Sequence, residues 1–344
     1  MNFKKIKLLL LILFLISAVY VVYIITSKSA KISEVILEVG YFNDVSDTTS
    51  EHILHGVFGI KVDSMGYVYV LDRGNNRIVK FSPDGKFLTW FGGTGQGPGD
   101  LLNPIDFDID KFGNIIVLEE GNHRISIFDR SGKWINSFSL DGNASSIFVT
   151  PQGEIFVNMP IIGGRLSNLF HIYNFRGEKL GEIGNVELIE QKPFNTYLVT
   201  QHLNYVKAKY NYKDKEIWAI YRARPLFKIY SIEGQLLVER IINTPETKSA
   251  IKVNKEYQEK HLSMKGWFGI LYVFGDIDFV DDGVVVKVNN FSNVPYDYLY
   301  LLNRNGEVVK KYIIPLRVFN FAINRKENKI IIVSSDTLYQ SKIK

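Results

Sequence analysis

The 344-residue chain is 46% hydrophobic, with 19 Tyr and 23 Phe, enough apolar mass for a sizeable core of strand-forming types. Its formal charge of +5 is no sign of nucleic acid binding: five lysines precede residue 32 with no acid among them, and residues 32–344 hold 36 basic and 36 acidic groups. A neutral folded part lacks a general grip on a polyanion, and the absence of cysteine excludes disulfides, thiolate nucleophiles and cysteine metal sites.

Lys4, Lys5 and Lys7 precede an apolar run from Leu8 to Ile25, softened only by Ser17 and Tyr20. With its flanks the run is long enough to span a bilayer, and the lysines favour a cytoplasmic N-terminus. A cleaved signal peptide, with Ser27 and Ser29 near the cut, is the competing reading; the run is longer than a usual signal core. Residues 1–31 are therefore predicted to be a membrane anchor that contacts the bilayer through 8–25. Residues 32–344 are predicted to lie outside the cytoplasm, at an inner or plasma membrane.

From Gly56 to Lys133 one unit occurs twice. Gly66, Arg77 and Gly85 recur as Gly113, Arg124 and Gly132 at one constant spacing, and a fixed period with preserved turn residues marks a repeat architecture. Each unit reads as four short strands parted by turn chemistry, the pattern of an antiparallel meander. Both faces of such a sheet are apolar, and radial packing of successive sheets buries them while leaving only short edges. Phasing the later segments on their glycines gives units at Ser146–Gly177, Tyr205–Gly234 and Asp276–Gly306, then a last one from Phe319 to Ser341. The last unit stops after three strands. Val35–Val39 is predicted to supply the fourth and close an all-β, six-bladed β-propeller of four-stranded antiparallel blades.

Asp72 with Asn75-Asn76-Arg77-Ile78, Glu119 with Asn122-His123-Arg124-Ile125, and the closing Phe81 and Phe128 resemble the NHL-repeat family of β-propellers. The resemblance implies a radial disc whose loops bind other molecules. It does not imply one function, because the family includes protein-binding, RNA-binding and enzymatic members.

The first strand of a blade lines the channel. At matched distances before the turn glycines stand Gly59, Asp106, Ser146 and Asp276, and then Lys61, Asp108, Phe148 and Asp278. NHL-like units usually have small residues at both places, so Asp106, Asp108, Asp276 and Asp278 depart from the pattern. Blades two and five oppose each other in a six-membered ring, which sets these carboxylates across the axis. Calcium is the ion such hard oxygen ligands would take; the other readings are structural pairing, Lys61 with Asp108 and the rest with water or strand amides, and a polar ligand site. Arg77 and Arg124 are expected to be structural, and His123 to be a turn residue.

No nucleophile elbow and no H-E-x-x-H helix occurs, and Gly92–Gly99 lacks the ending of a phosphate loop, so it reads as a crossing between blades. Two excursions break the repeat. Residues 184–203 carry Phe194, Tyr197, Leu198 and His202. Residues 244–266 begin with Thr244-Pro245-Glu246, which predicts an amphipathic helix over 246–265 with Thr244 as its cap, lying over the channel mouth or on the rim.

The expected function is a membrane-tethered extracytoplasmic scaffold that presents a propeller face to an envelope protein, peptide or polysaccharide, without a cofactor and without a predicted homo-oligomer. The alternative is a cation-dependent ester or lactone hydrolase working on the acidic channel.

Overall fold

Antiparallel meanders, with two N-terminal strands added to the last two, build the computed structural model, which describes residues 32–42, 53–190, 195–261, 270–281, 283–292 and 294–343. The chain divides after Ser33 into two units. The apolar segment 8–25 lies outside the described residues, and among the described residues no helix is long and apolar enough to cross a membrane.

Blade one comprises Val57–Val62, Val68–Asp72, Arg77–Phe81 and Phe87–Gly92; blade two comprises Pro104–Ile109, Ile115–Glu119, Arg124–Phe128 and Trp134–Ser139. Blade three comprises Ser146–Val149, Ile155–Asn158, Asn168–Tyr173 and Lys179–Asn185, and blade four Val206–Asn211, Glu216–Tyr221, Leu226–Ser231 and Leu236–Ile241. Blade five runs through Phe274–Val280, Gly283–Val288, Asp297–Leu302 and Val308–Ile314, and blade six through Asn320–Asn324, Lys329–Ser334 and Thr337–Lys342. The second strands of blades one to five are buried along their whole length, whereas outer strands such as Leu236–Ile241 stay exposed.

Six apolar clusters fill the molecule, one at each seam between adjacent blades. At the seam of blades one and two, Tyr69 and Leu71 meet Phe107 and Val117. At the seam of blades six and one, Ala322 and Ile331 meet Ile60 and Val70. A sheet apolar on both faces is thus buried twice, which is why the blades stack around an axis.

The first hairpin of blade one turns at Gly66, whose φ of 93° is open to glycine at no steric cost. Blade four has no glycine there: Lys215 takes the left-handed conformation itself, with φ 57°.

The closing strand differs from the expectation. Ser33–Ile36 adds a fifth strand to blade five, and the two residues Gly40–Tyr41 complete blade six. Leu37 N donates to Ile313 O at 2.9 Å and Phe42 N to Leu338 O at 2.9 Å, so Val35–Val39 crosses from one blade to the next instead of forming one strand. Leu37 marks the crossing, its side chain buried in the seam between blades five and six. Asp336 seals the ring from the other end, its carboxylate accepting from Gly56 N at 3.0 Å and Val57 N at 2.8 Å.

The first excursion holds helix α1, Thr196–Leu203, capped by Asn195 Oδ1, which accepts from Leu198 N at 3.0 Å; Phe194 lies outside the described residues. The second holds helix α2, Pro245–His261, and the stretch predicted to continue to Lys265 lies outside them as well. Thr244 caps α2: its Oγ1 accepts from Thr247 N at 3.1 Å, and Thr247 Oγ1 accepts from Thr244 N at 2.9 Å. Ala250 is buried at the seam of blades four and five, and Glu246 accepts from Tyr300 Oη and pairs with Lys311 at 2.9 Å. The start of α2 therefore docks on the rim.

Candidate functional site

The inner strand of each blade is a sheet edge, and its outward N–H and C=O groups need partners. Side chains of the neighbouring blade supply several of them. Asp106 Oδ2 and Asp108 Oδ2 of blade two accept from Ile147 N at 3.0 Å and Val149 N at 2.9 Å in blade three. Asp278 Oδ2 of blade five accepts from Ile323 N of blade six at 2.8 Å, and Asn320 of blade six donates to Phe58 O of blade one at 2.9 Å. Ser146 donates to Val206 O, joining blade three to blade four. Three of the four acidic departures from the repeat, Asp106, Asp108 and Asp278, are staples between blades.

Their charge is balanced by lysines from two blades. Lys207 and Lys209 of blade four reach Asp106 at 2.9 Å and Asp278 at 2.7 Å. Lys61 of blade one is buried among the four carboxylates, where Asp108 is half-buried and Asp106, Asp276 and Asp278 are buried. Burial alone would depress the Lys61 ammonium; the fields of Asp276, Asp106, Asp108 and Asp278 together reverse that and raise it above its ordinary value. The expected Lys61–Asp108 contact is replaced by the two pairs from blade four, and Lys61 makes no ion pair within 4.0 Å among the described residues.

Burial pushes Asp276 and Asp278 up, but Lys61, Lys207 and Lys209 around the first, and Lys209 and Arg325 around the second, hold both below the usual carboxylate range. Burial wins at Asp108, which is raised in spite of Lys61 and Lys209. Among the described residues no group of three or more His, Cys, Asp or Glu is arranged to hold a metal ion. Strand amides and lysines compete with calcium for this donor set: oxygens of Asp106, Asp108 and Asp278 accept from backbone N–H groups of blade three or six, Asp276 Oδ1 accepts from Ile277 N at 2.8 Å, and the lysines supply countercharge.

Above this floor, at the mouth bordered by the first hairpin turns, opens a cup of about 290 Å³. Lys61, Asp108, Lys209 and Asp278 line it together with Lys111, Tyr212, Arg325 and Lys326. Lys111, Tyr212, Arg325 and Lys326 are exposed.

Blade four hides its lysines from sequence reasoning, because the turn glycine used for counting is missing there. The signal that could have found them is the alternation of Val206, Ala208 and Tyr210, all core residues, with Lys207 and Lys209.

Arg77 and Arg124 are structural, as expected. Arg77 Nε pairs with Asp72 at 2.7 Å and Arg124 Nε with Glu119 at 2.7 Å. The remaining Arg124 donors take Gln96 O at 2.8 Å and Asp100 O at 2.8 Å, which pins the glycine-rich crossing to blade two. His123 is a turn residue with φ 47°. It lines a second cavity of about 270 Å³ on the opposite face, beside Leu198, Gln201 and His202 of α1 and Tyr205.

A family model described as "6-bladed beta-propeller" matches residues 16–265, well over half of the chain. No curated protein matches the chain in sequence. Among solved structures, a Bacteroides fragilis protein assigned as exported is similar at 12% identity and a TM-score of 0.59, over 92% of this chain and 98% of that one. Virginiamycin B lyase from Staphylococcus aureus is similar at 14% identity and a TM-score of 0.53, over 89% of this chain and 99% of that one. A streptogramin B lyase is similar at 12% identity and a TM-score of 0.51, over 88% and 97%. At such identities the likeness is one of fold alone.

Proposed function

We propose, for a chain that belongs to the DUF5128 family of six-bladed β-propellers, a noncatalytic binding role: the disc takes an acidic stretch of an envelope peptide, protein or polysaccharide into the cup at the mouth of its channel. The observation that carries this reading is the contrast between floor and rim. On the floor Asp106 and Asp278 are paired with lysines and Lys61 sits in the field of all four carboxylates, and among the described residues no group of three or more His, Cys, Asp or Glu is arranged to hold a metal ion. On the rim, Lys111 and Lys326 are exposed without an ion pair among the described residues, next to the exposed ring of Tyr212. Cations beside an aromatic ring suit an acidic polymer that lies across a mouth.

The Asn-rich turns ahead of Arg77 and Arg124 keep the NHL-like reading as the closest motif description of blades one and two. The lysines and apolar run before residue 26, together with the export assigned to the Bacteroides fragilis neighbour, support an extracytoplasmic disc held to the membrane through residues 8–25. The cation-dependent hydrolase reading has less support, since strand amides and lysines compete for the carboxylates it needs.

Binding of an oligoglutamate peptide by the full chain in detergent tests the proposal. Lys111→Gln with Lys326→Gln should weaken it about tenfold, and Tyr212→Ala should add to the loss. Equal retention of oligoglutamate and a neutral peptide by the unaltered chain defeats the reading.

A further inference from the structure

The face opposite the cup carries an arginine that differs from most of the cations tied into the blades. Arg77, Arg124, Lys207, Lys209 and Lys228 each hold a carboxylate within 3.0 Å. Arg222 holds none. Its backbone is fixed from two sides, with its N–H on Tyr205 O at 2.9 Å and its C=O accepting from Phe274 N at 3.0 Å. Its half-buried guanidinium lies 4.1 Å from the ring centre of Tyr272, and its Nε is sealed from solvent with no hydrogen-bond partner. A desolvated donor without a partner is costly, and a guanidinium backed by an aromatic ring is preorganised for bidentate capture.

The surroundings add donors. Tyr272 Oη lies 3.1 Å from His202 Nδ1, and Gln201 Nε2 donates to Tyr205 Oη at 2.6 Å, where α1 borders the second cavity. Near the end of blade five's second strand, Lys287 is 5% exposed. Its Nζ donates to Asn289 Oδ1 at 2.5 Å. Burial holds that ammonium down to about 8, and Arg317 and Arg222 work against the help of Asp297. Asp297 is itself engaged, accepting from Val318 N at 2.7 Å and facing Arg317 at 3.6 Å. The acids at this mouth face other arginines, Glu119 facing Arg124, Glu120 facing Arg73 at 3.3 Å and Asp297 facing Arg317, so neither Arg222 nor Lys287 has a carboxylate within 4.0 Å among the described residues.

We propose that this face carries an anion site in which Arg222, backed by Tyr272, takes a carboxylate or phosphoryl group through its open guanidinium end, with Lys287 as the neighbouring positive charge. The site lies at the other mouth from the cup and stands independently of the cup's function. Occupation by an anion would compensate both cations at once.

The test titrates inorganic phosphate and acetate, at ionic strength matched with sodium chloride, into the full chain and reads thermal unfolding. At ten times the dissociation constant the bound anion should raise the midpoint by about 2 °C. A rise with phosphate alone assigns a phosphoryl ligand, and a rise with both assigns a general oxyanion site that accepts carboxylates. Arg222→Gln should abolish the rise, Lys287→Met should weaken binding about tenfold, and Lys111→Gln at the opposite mouth should leave it intact. A second readout needs no variant: phosphate should protect Arg222 from phenylglyoxal, as mapped by peptide mass. The proposal is overturned if neither anion raises the midpoint, if Arg222→Gln keeps the full rise, or if phosphate leaves Arg222 as reactive as before.

Discussion

Lys207 of blade four reaches past blade three to hold Asp106 of blade two at 2.9 Å, and both side chains are nearly out of solvent. The pair spans two seams of the ring, so the channel is locked by charge as well as by the apolar seams. Asp106→Asn strands a buried ammonium and should cost about 3–5 kcal/mol in urea unfolding. Lys207→Met with Asp106→Leu removes both charges and should recover most of that loss. A residue of about 1–2 kcal/mol should remain, because Ile147 N loses its acceptor. A double variant as unstable as Asp106→Asn alone would show that the ion pair is not what Asp106 is for.

Calcium should leave the disc unmoved. Asp276 and Asp278 are held below the usual carboxylate range by neighbouring cations, and each of the four carboxylates already accepts from a backbone N–H group, so an ion would have to compete with both. Melting of the full chain with millimolar calcium or with a chelator should give the same midpoint. A clear rise with calcium, lost in Asp108→Asn, would restore the cation reading of the axis.

Asp336 joins the last strand pair to the first strand of blade one through two charged hydrogen bonds. Asp336→Ala should destabilise the chain by about 2–3 kcal/mol, since two N–H groups lose a charged acceptor. Hydrogen exchange should quicken first at Gly56 and Val57. Exchange that quickens instead around blade three would place the weak seam elsewhere.

Lys287 makes stability depend on pH above neutrality. Its ammonium is held down to about 8 by burial and by Arg317 and Arg222, against the opposing field of Asp297, while the unfolded chain keeps a value near 10.5. Below pH 8 the lysine is charged in both states, and the folded state bears the full penalty. Between pH 8 and 10.5 the unfolded chain binds more protons, so this contribution rises with pH, by on the order of 3 kcal/mol in total. Lys287→Met should flatten the slope and raise the midpoint at pH 7. A slope that survives the substitution assigns it to another group.

Blades one and two were legible because two turn glycines and two arginines recur in register, and the structure uses them where the repeat implied. The acids of blades two and five could be placed by the same counting. Their partners could not: blade four turns on Lys215 in a left-handed conformation, so no glycine marks the register that would have aligned Lys207 and Lys209 with the axis. The closing strand was misplaced by a few residues because Val35–Val39 alternates like a strand, whereas pairing is decided by which edges stand open, and two of them did. Arg222 carried no signal in the sequence at all. Its place in the proposed anion site rests on its having no carboxylate partner among the described residues, which shows only in three dimensions.

The strap formed by Ser33–Ile36 and Gly40–Tyr41 has a consequence for biosynthesis. Gln340 donates to Tyr41 O across a separation of 299 residues, so the earliest part of the disc to leave the ribosome is among the last to find its partner. At ordinary translation rates that delay is on the order of tens of seconds. Through that interval a nascent strand waits unpaired while successive blades form beside it, and a holding factor at the exit site would have its clearest task there.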